Sequence, residues 1–167
     1  MNDPLRVAVV GATGYAGFEL ARLLLRHPKI EKPVFYLRDG HAAVHCLTEL
    51  YPQLRGWGEA PCKPLSIEAI ASSGAQVVFL STPHEASLEL VPALFAVNPA
   101  LRIVDLSGAY RFRTPETFAH WYKLAAPDSA TLAEAVYGLP ELYADALPAA
   151  RLVANPGCYP KIGRAHV

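Results

Sequence analysis

The chain has 167 residues, 52% hydrophobic and 18% charged, a balance that fits one globular domain with a real core and excludes a disordered segment. Its 15 basic and 15 acidic residues cancel, so no global field draws it to nucleic acid or to an anionic membrane. Three cysteines without C-x-x-C spacing (Cys46, Cys62, Cys158) point to a reducing compartment; with neither a signal peptide nor an apolar run of bilayer length, the expected location is the cytoplasm.

The apolar run at residues 5–10 predicts a first strand. Directly after it comes Gly11-Ala-Thr13-Gly14-Tyr15-Ala16-Gly17, and then a leucine-rich run that predicts a helix over 15–27, stopped by Pro28. Ala16, Leu20, Leu23 and Leu24 fall on its expected sheet-facing side. A strand, spaced glycines and a helix form the signature of a phosphate cradle. The glycines permit a tight turn, close approach of backbone to a diphosphate, and tight helix packing, while the helix N-terminus offers free N–H groups. The spacing is G-x-x-G-x-x-G rather than the commoner G-x-G-x-x-G, so the flanking elements carry the reading.

Residues 33–37 predict a second strand. At the end of such a strand an acidic residue suits the ribose hydroxyl of NAD and an arginine suits the 2′-phosphate of NADP. Here Arg38 and Asp39 stand together, roughly 20 residues after the cradle; Arg38 favours NADP and Asp39 keeps NAD open. Residues 40–64 read as an insertion with a short helix rather than a clean βα unit. His41 and His45 beside Cys46 have metal-like spacing, but no second ligand cluster accompanies them, and no metal is expected.

A short amphipathic helix over 66–72 precedes a strongly apolar strand over 76–80, as expected where both faces of a sheet are covered. Ser81-Thr-Pro83-His84 follows, then a helical run over 85–97 containing Pro92. Polar residues just past a buried strand lie where open α/β folds bind ligands, which makes His84 a site candidate; a cap on the next helix is the competing reading. The next strand, 101–105, leads into Leu106-Ser107-Gly108-Ala-Tyr-Arg111, where Ser107 and Arg111 suit a phosphate or carboxylate. Residues 112–131 read as a mixed loop anchored by Trp121 and Tyr122, and 151–154 as a last strand running into Asn155-Pro-Gly-Cys158-Tyr-Pro160. The alternation predicts a Rossmann-type, doubly wound α/β fold with a mostly parallel sheet.

Five stretches in order make the chain resemble the N-terminal part of the N-acetyl-gamma-glutamyl-phosphate reductases, NADPH-dependent enzymes of arginine biosynthesis. They are the glycine cradle from Gly11 to Gly17, Ser81 to His84, Asp105 to Gly108 with Arg111, Tyr137-Gly-Leu-Pro-Glu-Leu142, and Asn155 to Pro160. Aspartate-semialdehyde dehydrogenases share the cradle and a catalytic cysteine but fit the Tyr137 and Asn155 motifs less well. At the end of the second strand the family usually has Ser-Arg where this chain has Leu37-Arg38, so the arginine contact to the cofactor stands and the hydroxyl contact does not.

The resemblance implies Cys158 as the nucleophile, which as a thiolate at a helix start takes the acyl group of an acyl phosphate as a thioester. It implies NADP contacts from Gly11, Thr13, Gly14, Tyr15, Ala16, Gly17, Arg38, Ser81 and Pro83. Substrate contacts are implied from His84, Ser107, Gly108, Arg111 and Asn155, with N-acetylglutamyl phosphate as substrate. The expected organisation is a dinucleotide-binding domain over 1–160 and a non-family tail over 161–167. The family has a Thr after Pro160, and 162–167 reads like translated sequencing adapter, so the tail is expected to be an artefact and His166 is not a catalytic base. The family's general acid–base histidine and much of its subunit interface belong to a following substrate domain, and the full-length protein is expected to form a homo-oligomer. A non-catalytic NADP-binding module and a non-binding fragment are the rival readings.

Overall fold

The computed structural model describes residues 3–38, 41 and 43–160; Asp39, on which the NAD alternative rests, and the 161–167 tail with His166 lie outside the described residues. Among the described residues seven strands form one parallel sheet in the order β3-β2-β1-β4-β5-β7-β6. The strands are β1 (Val7–Val10), β2 (Val34–Leu37), β3 (Cys62–Pro64), β4 (Val77–Leu80), β5 (Arg102–Asp105), β6 (Val136–Tyr137) and β7 (Leu152–Ala154). The helices between them are α1 (Tyr15–Leu24), α2 (Leu47–Leu50), α3 (Ile67–Ser72), α4 (His84–Val97), α5 (Pro115–Tyr122), α6 (Ser129–Glu134) and α7 (Pro140–Tyr143). This is the Rossmann-type, doubly wound fold expected from the sequence.

Strand β1 shows why both faces are covered. Val7 and Val9 enter a core with Ala21, Leu24 and Phe35, while Ala8 and Val10 enter a second core with Val78, Ile103 and Leu94. Alternate residues of a strand point to opposite faces, so an unbroken apolar strand needs a layer on each. None of the helices among the described residues is long and apolar enough to cross a membrane.

Several local expectations are corrected. Helix α1 ends at Leu24, and the N–H groups of Arg26 and His27 turn back to the carbonyls three residues earlier, because a proline excludes the helical conformation from the residue before it. Its buried face is Gly17, Ala21 and Leu24; Ala16 and Leu23 are exposed. The insertion ends in a true strand, β3, which extends the sheet beyond β2 with Phe35 opposite Cys62. The expected loop at 112–131 contains α5, capped by Thr114 through its hydroxyl and the Thr117 N–H, and the first part of α6, capped by Asp128 on the Thr131 N–H. Tyr122 anchors that segment against Phe112, Phe118 and His84, whereas Trp121 is 68% exposed and anchors nothing.

Candidate active site

The five motif stretches emerge along the carboxyl edge of the sheet. Tyr36, Val10, Leu80, Asp105, Ala154 and Tyr137 stand in one row across β2, β1, β4, β5, β7 and β6. The ladder runs one residue further: Ser81 N–H donates to the Val10 carbonyl, Leu106 N–H to Leu80, Asn155 N–H to Asp105 and Gly138 N–H to Ala154. The strand order reverses between β1 and β4, and such switch points are where open α/β sheets bind ligands.

At that switch point Gly11 has φ +85°, and a Cβ there would collide with the Ser81 carbonyl. A Cβ on Gly17 would lie 2.6 Å from the Ala12 Cα, so a glycine is what lets α1 lie this close to the turn. Gly14 differs, since nothing lies within 4 Å of where its Cβ would be. It precedes α1 without any side-chain cap, and the first turn of the helix carries no acidic residue. An open face, uncapped helical N–H groups and a first turn free of acidic residues fit the diphosphate of a dinucleotide. A cavity of about 650 Å³ opens over Thr13, Gly14 and Tyr15, bounded by Phe18, Tyr51, Gln53 and Glu19, whose carboxylate pairs with Arg22 at 2.7 Å. Tyr51 braces it: its hydroxyl donates to the Thr13 carbonyl at 2.7 Å and its ring lies 4.7 Å from that of Phe18. Nothing in the local sequence around Tyr51 signalled this contact. Thr13, Tyr15 and Ala16 are exposed on the turn, with Tyr15 at 95%. Arg38 is exposed at the β2 end of the edge; its carbonyl accepts from the His41 N–H, and its guanidinium makes no hydrogen bond or ion pair among the described residues.

Across the switch point a buried polar chain joins β4, α4 and β5. Thr82 donates to the Ser87 hydroxyl at 2.8 Å, Ser87 donates to Asp105 Oδ1 at 2.8 Å, and Ser107 donates to Asp105 through both its N–H (3.1 Å) and its hydroxyl (2.7 Å). Asp105 is fully buried. Burial pushes its carboxyl above the usual carboxylate range, and the bonds from Ser107 and Ser87 and the charge of Arg111 counter this without cancelling it. Because the Ser107 hydroxyl also accepts from the Ala109 N–H, its capacity is spent inside the loop. The Gly108 N–H is likewise engaged, donating to His84 Nδ1 at 2.8 Å. That bond leaves Nε2 as the proton-bearing nitrogen of the neutral imidazole. The His84 ring also packs edge-on against Tyr122 at 4.6 Å. Ser81 is half-buried and Pro83 exposed at the same turn.

Arg111 ties this loop to the next one. Its Nε donates to the Asn155 carbonyl at 2.8 Å and its Nη2 to the Leu106 carbonyl at 3.2 Å, while Nη1 lies beside Gly157. The Asn155 side-chain amide donates to the Pro156 carbonyl. Cys158 follows, exposed, at the first residue of a helical stretch. Next to it a groove of about 510 Å³ is walled by Arg111, Arg113, Tyr122, Tyr137, Tyr143 and Gly157. The edge therefore brings together the cradle, His84, the 107–111 loop and the 155–158 loop, with Arg38 and Cys158 toward opposite ends of it. Of His41, His45 and Cys46, whose spacing resembles that of metal ligands, His45 and Cys46 lie just before α2, their N–H groups donating to Glu49.

Known proteins show the same arrangement of sequence. The chain is 44% identical over 160 residues to an N-acetyl-gamma-glutamyl-phosphate reductase of Thermosynechococcus vestitus, covering 96% of this chain and 44% of that protein. It is 45% identical over 160 residues to the enzyme of the same name from Gloeobacter violaceus, again covering 96% of this chain and 44% of the relative. The chain thus spans less than half the length of these curated relatives. Its fold is similar to that of aspartate semialdehyde dehydrogenase II from Vibrio cholerae, with a TM-score of 0.64 at 14% identity, covering 94% of this chain and 43% of that one. Residues 6–150 match the family model for the NAD-binding domain of semialdehyde dehydrogenases, and the chain belongs to that family.

Proposed function

We propose that this chain is the dinucleotide-binding, nucleophile-bearing part of an N-acetyl-gamma-glutamyl-phosphate reductase of the cytoplasm, with NADPH as its cofactor and N-acetyl-L-glutamyl 5-phosphate as its substrate. The observation that carries the reading is the alignment of an uncapped glycine cradle and an exposed cysteine along one sheet edge, in a chain 44% identical to a relative of that name.

In this reading the Cys158 thiolate attacks the acyl carbon of the acyl phosphate, the C–O bond to phosphate breaks, and the acyl group is held as a thioester on Sγ. A dinucleotide held in the cradle would supply hydride for the acyl carbon; the C–S bond then breaks, the aldehyde leaves and Cys158 regains its thiolate. The chain's own residues hold the participants. Gly11 to Gly17 receive the diphosphate at the α1 N-terminus, with Ser81 and Pro83 at the adjoining strand end. Arg38 meets the 2′-phosphate, which favours NADPH over NADH. Arg111 fixes the 155–158 loop through the Asn155 carbonyl and leaves Nη1 for the substrate side, and His84 offers Nε2–H beside it. Ser107 and Gly108 hold the loop rather than present free donors.

The test is a fluorescence titration of the chain with NADPH and with NADH, repeated on Arg38→Ala. Binding that favours NADPH, with the preference abolished in the variant, is the expected result. Equal binding of the two nucleotides, unaffected by the substitution, overturns the NADPH assignment. A folded chain, checked by circular dichroism, that binds neither overturns the cradle.

A further inference from the structure

Resting on the reductase reading above, we propose that Arg113 is a second oxyanion-recognising residue of the substrate groove, setting the selectivity of Cys158 for an acyl compound that carries an anionic group. The groove beside Cys158 is walled by two guanidiniums and several tyrosines, and among the described residues no carboxylate lines it. In a chain whose 15 basic and 15 acidic residues cancel, that is an uncompensated local positive charge. The two arginines are placed differently. Arg111 has Nε and Nη2 committed to the carbonyls of Asn155 and Leu106, so most of its fork is occupied by holding loops. Arg113 is exposed and has no hydrogen bond or ion pair among the described residues, yet it lines the same groove as Gly157 and Tyr159, the neighbours of Cys158 on either side. A planar fork free to turn toward a ligand, beside phenol hydroxyls that can donate, suits a phosphoryl or carboxylate oxyanion. Arg113 stands two residues past Arg111 and immediately before Thr114, which caps α5, so its backbone is held while its side chain is not.

The experiment compares alkylation of Cys158 by anionic iodoacetate and by neutral iodoacetamide, read on the Cys158 peptide by mass spectrometry. A nearby cation speeds the anionic reagent selectively. At low salt the iodoacetate-to-iodoacetamide rate ratio at Cys158 is expected to fall about threefold in Arg113→Gln and to be retained in Arg113→Lys. Arg102→Gln, on the opposite edge of the sheet, should leave the ratio unchanged. Inorganic phosphate and acetate then serve as competitors: protection of Cys158 by one of them, lost in Arg113→Gln, identifies the oxyanion as phosphoryl or carboxylate. An unchanged ratio in Arg113→Gln, an equal fall in Arg102→Gln, or protection by neither anion overturns the proposal. Because iodoacetamide labels any exposed thiol, the ratio is read even if Cys158 proves no more nucleophilic than a free cysteine, a result that would count against the reductase reading alone.

Discussion

Replacing Asp105 by alanine tests whether the buried hydroxyl–carboxylate chain holds the carboxyl edge together. In the native protein the carboxylate accepts from Ser87 at 2.8 Å and from Ser107 at 3.1 and 2.7 Å. Ser87 has a fallback, since its hydroxyl can turn to the Pro83 carbonyl one helical turn earlier, which already accepts its N–H. The Ser107 N–H and hydroxyl have no such alternative in their buried loop. Two orphaned donors at about 1–3 kcal/mol each, partly offset by no longer burying a carboxylate, give a net loss of about 3 kcal/mol. For a chain of this size that is a fall in Tm of roughly 6–12 °C. The pH dependence has a definite sign. The folded-state pKa of Asp105 lies above its unfolded value, so its contribution is fully present below the unfolded pKa and is lost as pH rises through the raised folded value. The stability gap between wild type and Asp105→Ala, measured by urea unfolding at about pH 4, close to an ordinary Asp, and at about pH 7, roughly three units above it, should therefore be larger at the lower pH. A loss below about 1 kcal/mol, or a gap that narrows on acidification, would refute the reasoning.

The glycines of the cradle separate packing from ligand binding. Gly17→Ala drives a methyl into the backbone of Gly11 and Ala12 and should cost about 1–3 kcal/mol, together with loss of nucleotide binding. Gly14→Ala meets nothing within 4 Å, so the melting curve should barely move while dinucleotide affinity falls about tenfold; unchanged affinity in the fluorescence titration would remove the diphosphate from Gly14. Burial and the neighbouring Cys46 and Glu49 push the Cys62 thiol up to about 12, so its thiolate is scarce at any ordinary pH. At pH 8 thiol reagents should label exposed Cys158 first and reach Cys62 only on unfolding; equal rates in the folded protein would contradict the placement of Cys62 in β3.

Much of the fold was legible because its signals are local. The β1–glycine–α1 passage, the buried strands β4 and β5 and the short helix α3 each depend on residues a few positions apart. The candidate site was legible in outline for a related reason: in a parallel sheet each strand must end at the same edge, so polar motifs that follow apolar runs are gathered there. Strand β3 was not legible, since three residues, two of them exposed, carry almost no periodicity, and pairing with β2 makes them a strand. Nor could the sequence choose among the leucines of α1. Leu23 and Leu24 are equally apolar, and only the angle at which Gly17 seats the helix buries one and exposes the other.

The sequence by itself determined strands β1, β2, β4, β5 and β7 with helices α1, α3 and α4 between them, the position of the cradle, and the presence of a cysteine just past the last strand. The tertiary structure decided what the polar residues between them do. Asp105, Ser87 and Thr82 became a buried chain, Arg111 a brace between two loops, and Arg113 an exposed cation lining the groove. The difference is physical: backbone conformation is set largely by nearby residues, whereas the partner of a polar group is set by which distant segments the sheet brings within about 3 Å of it.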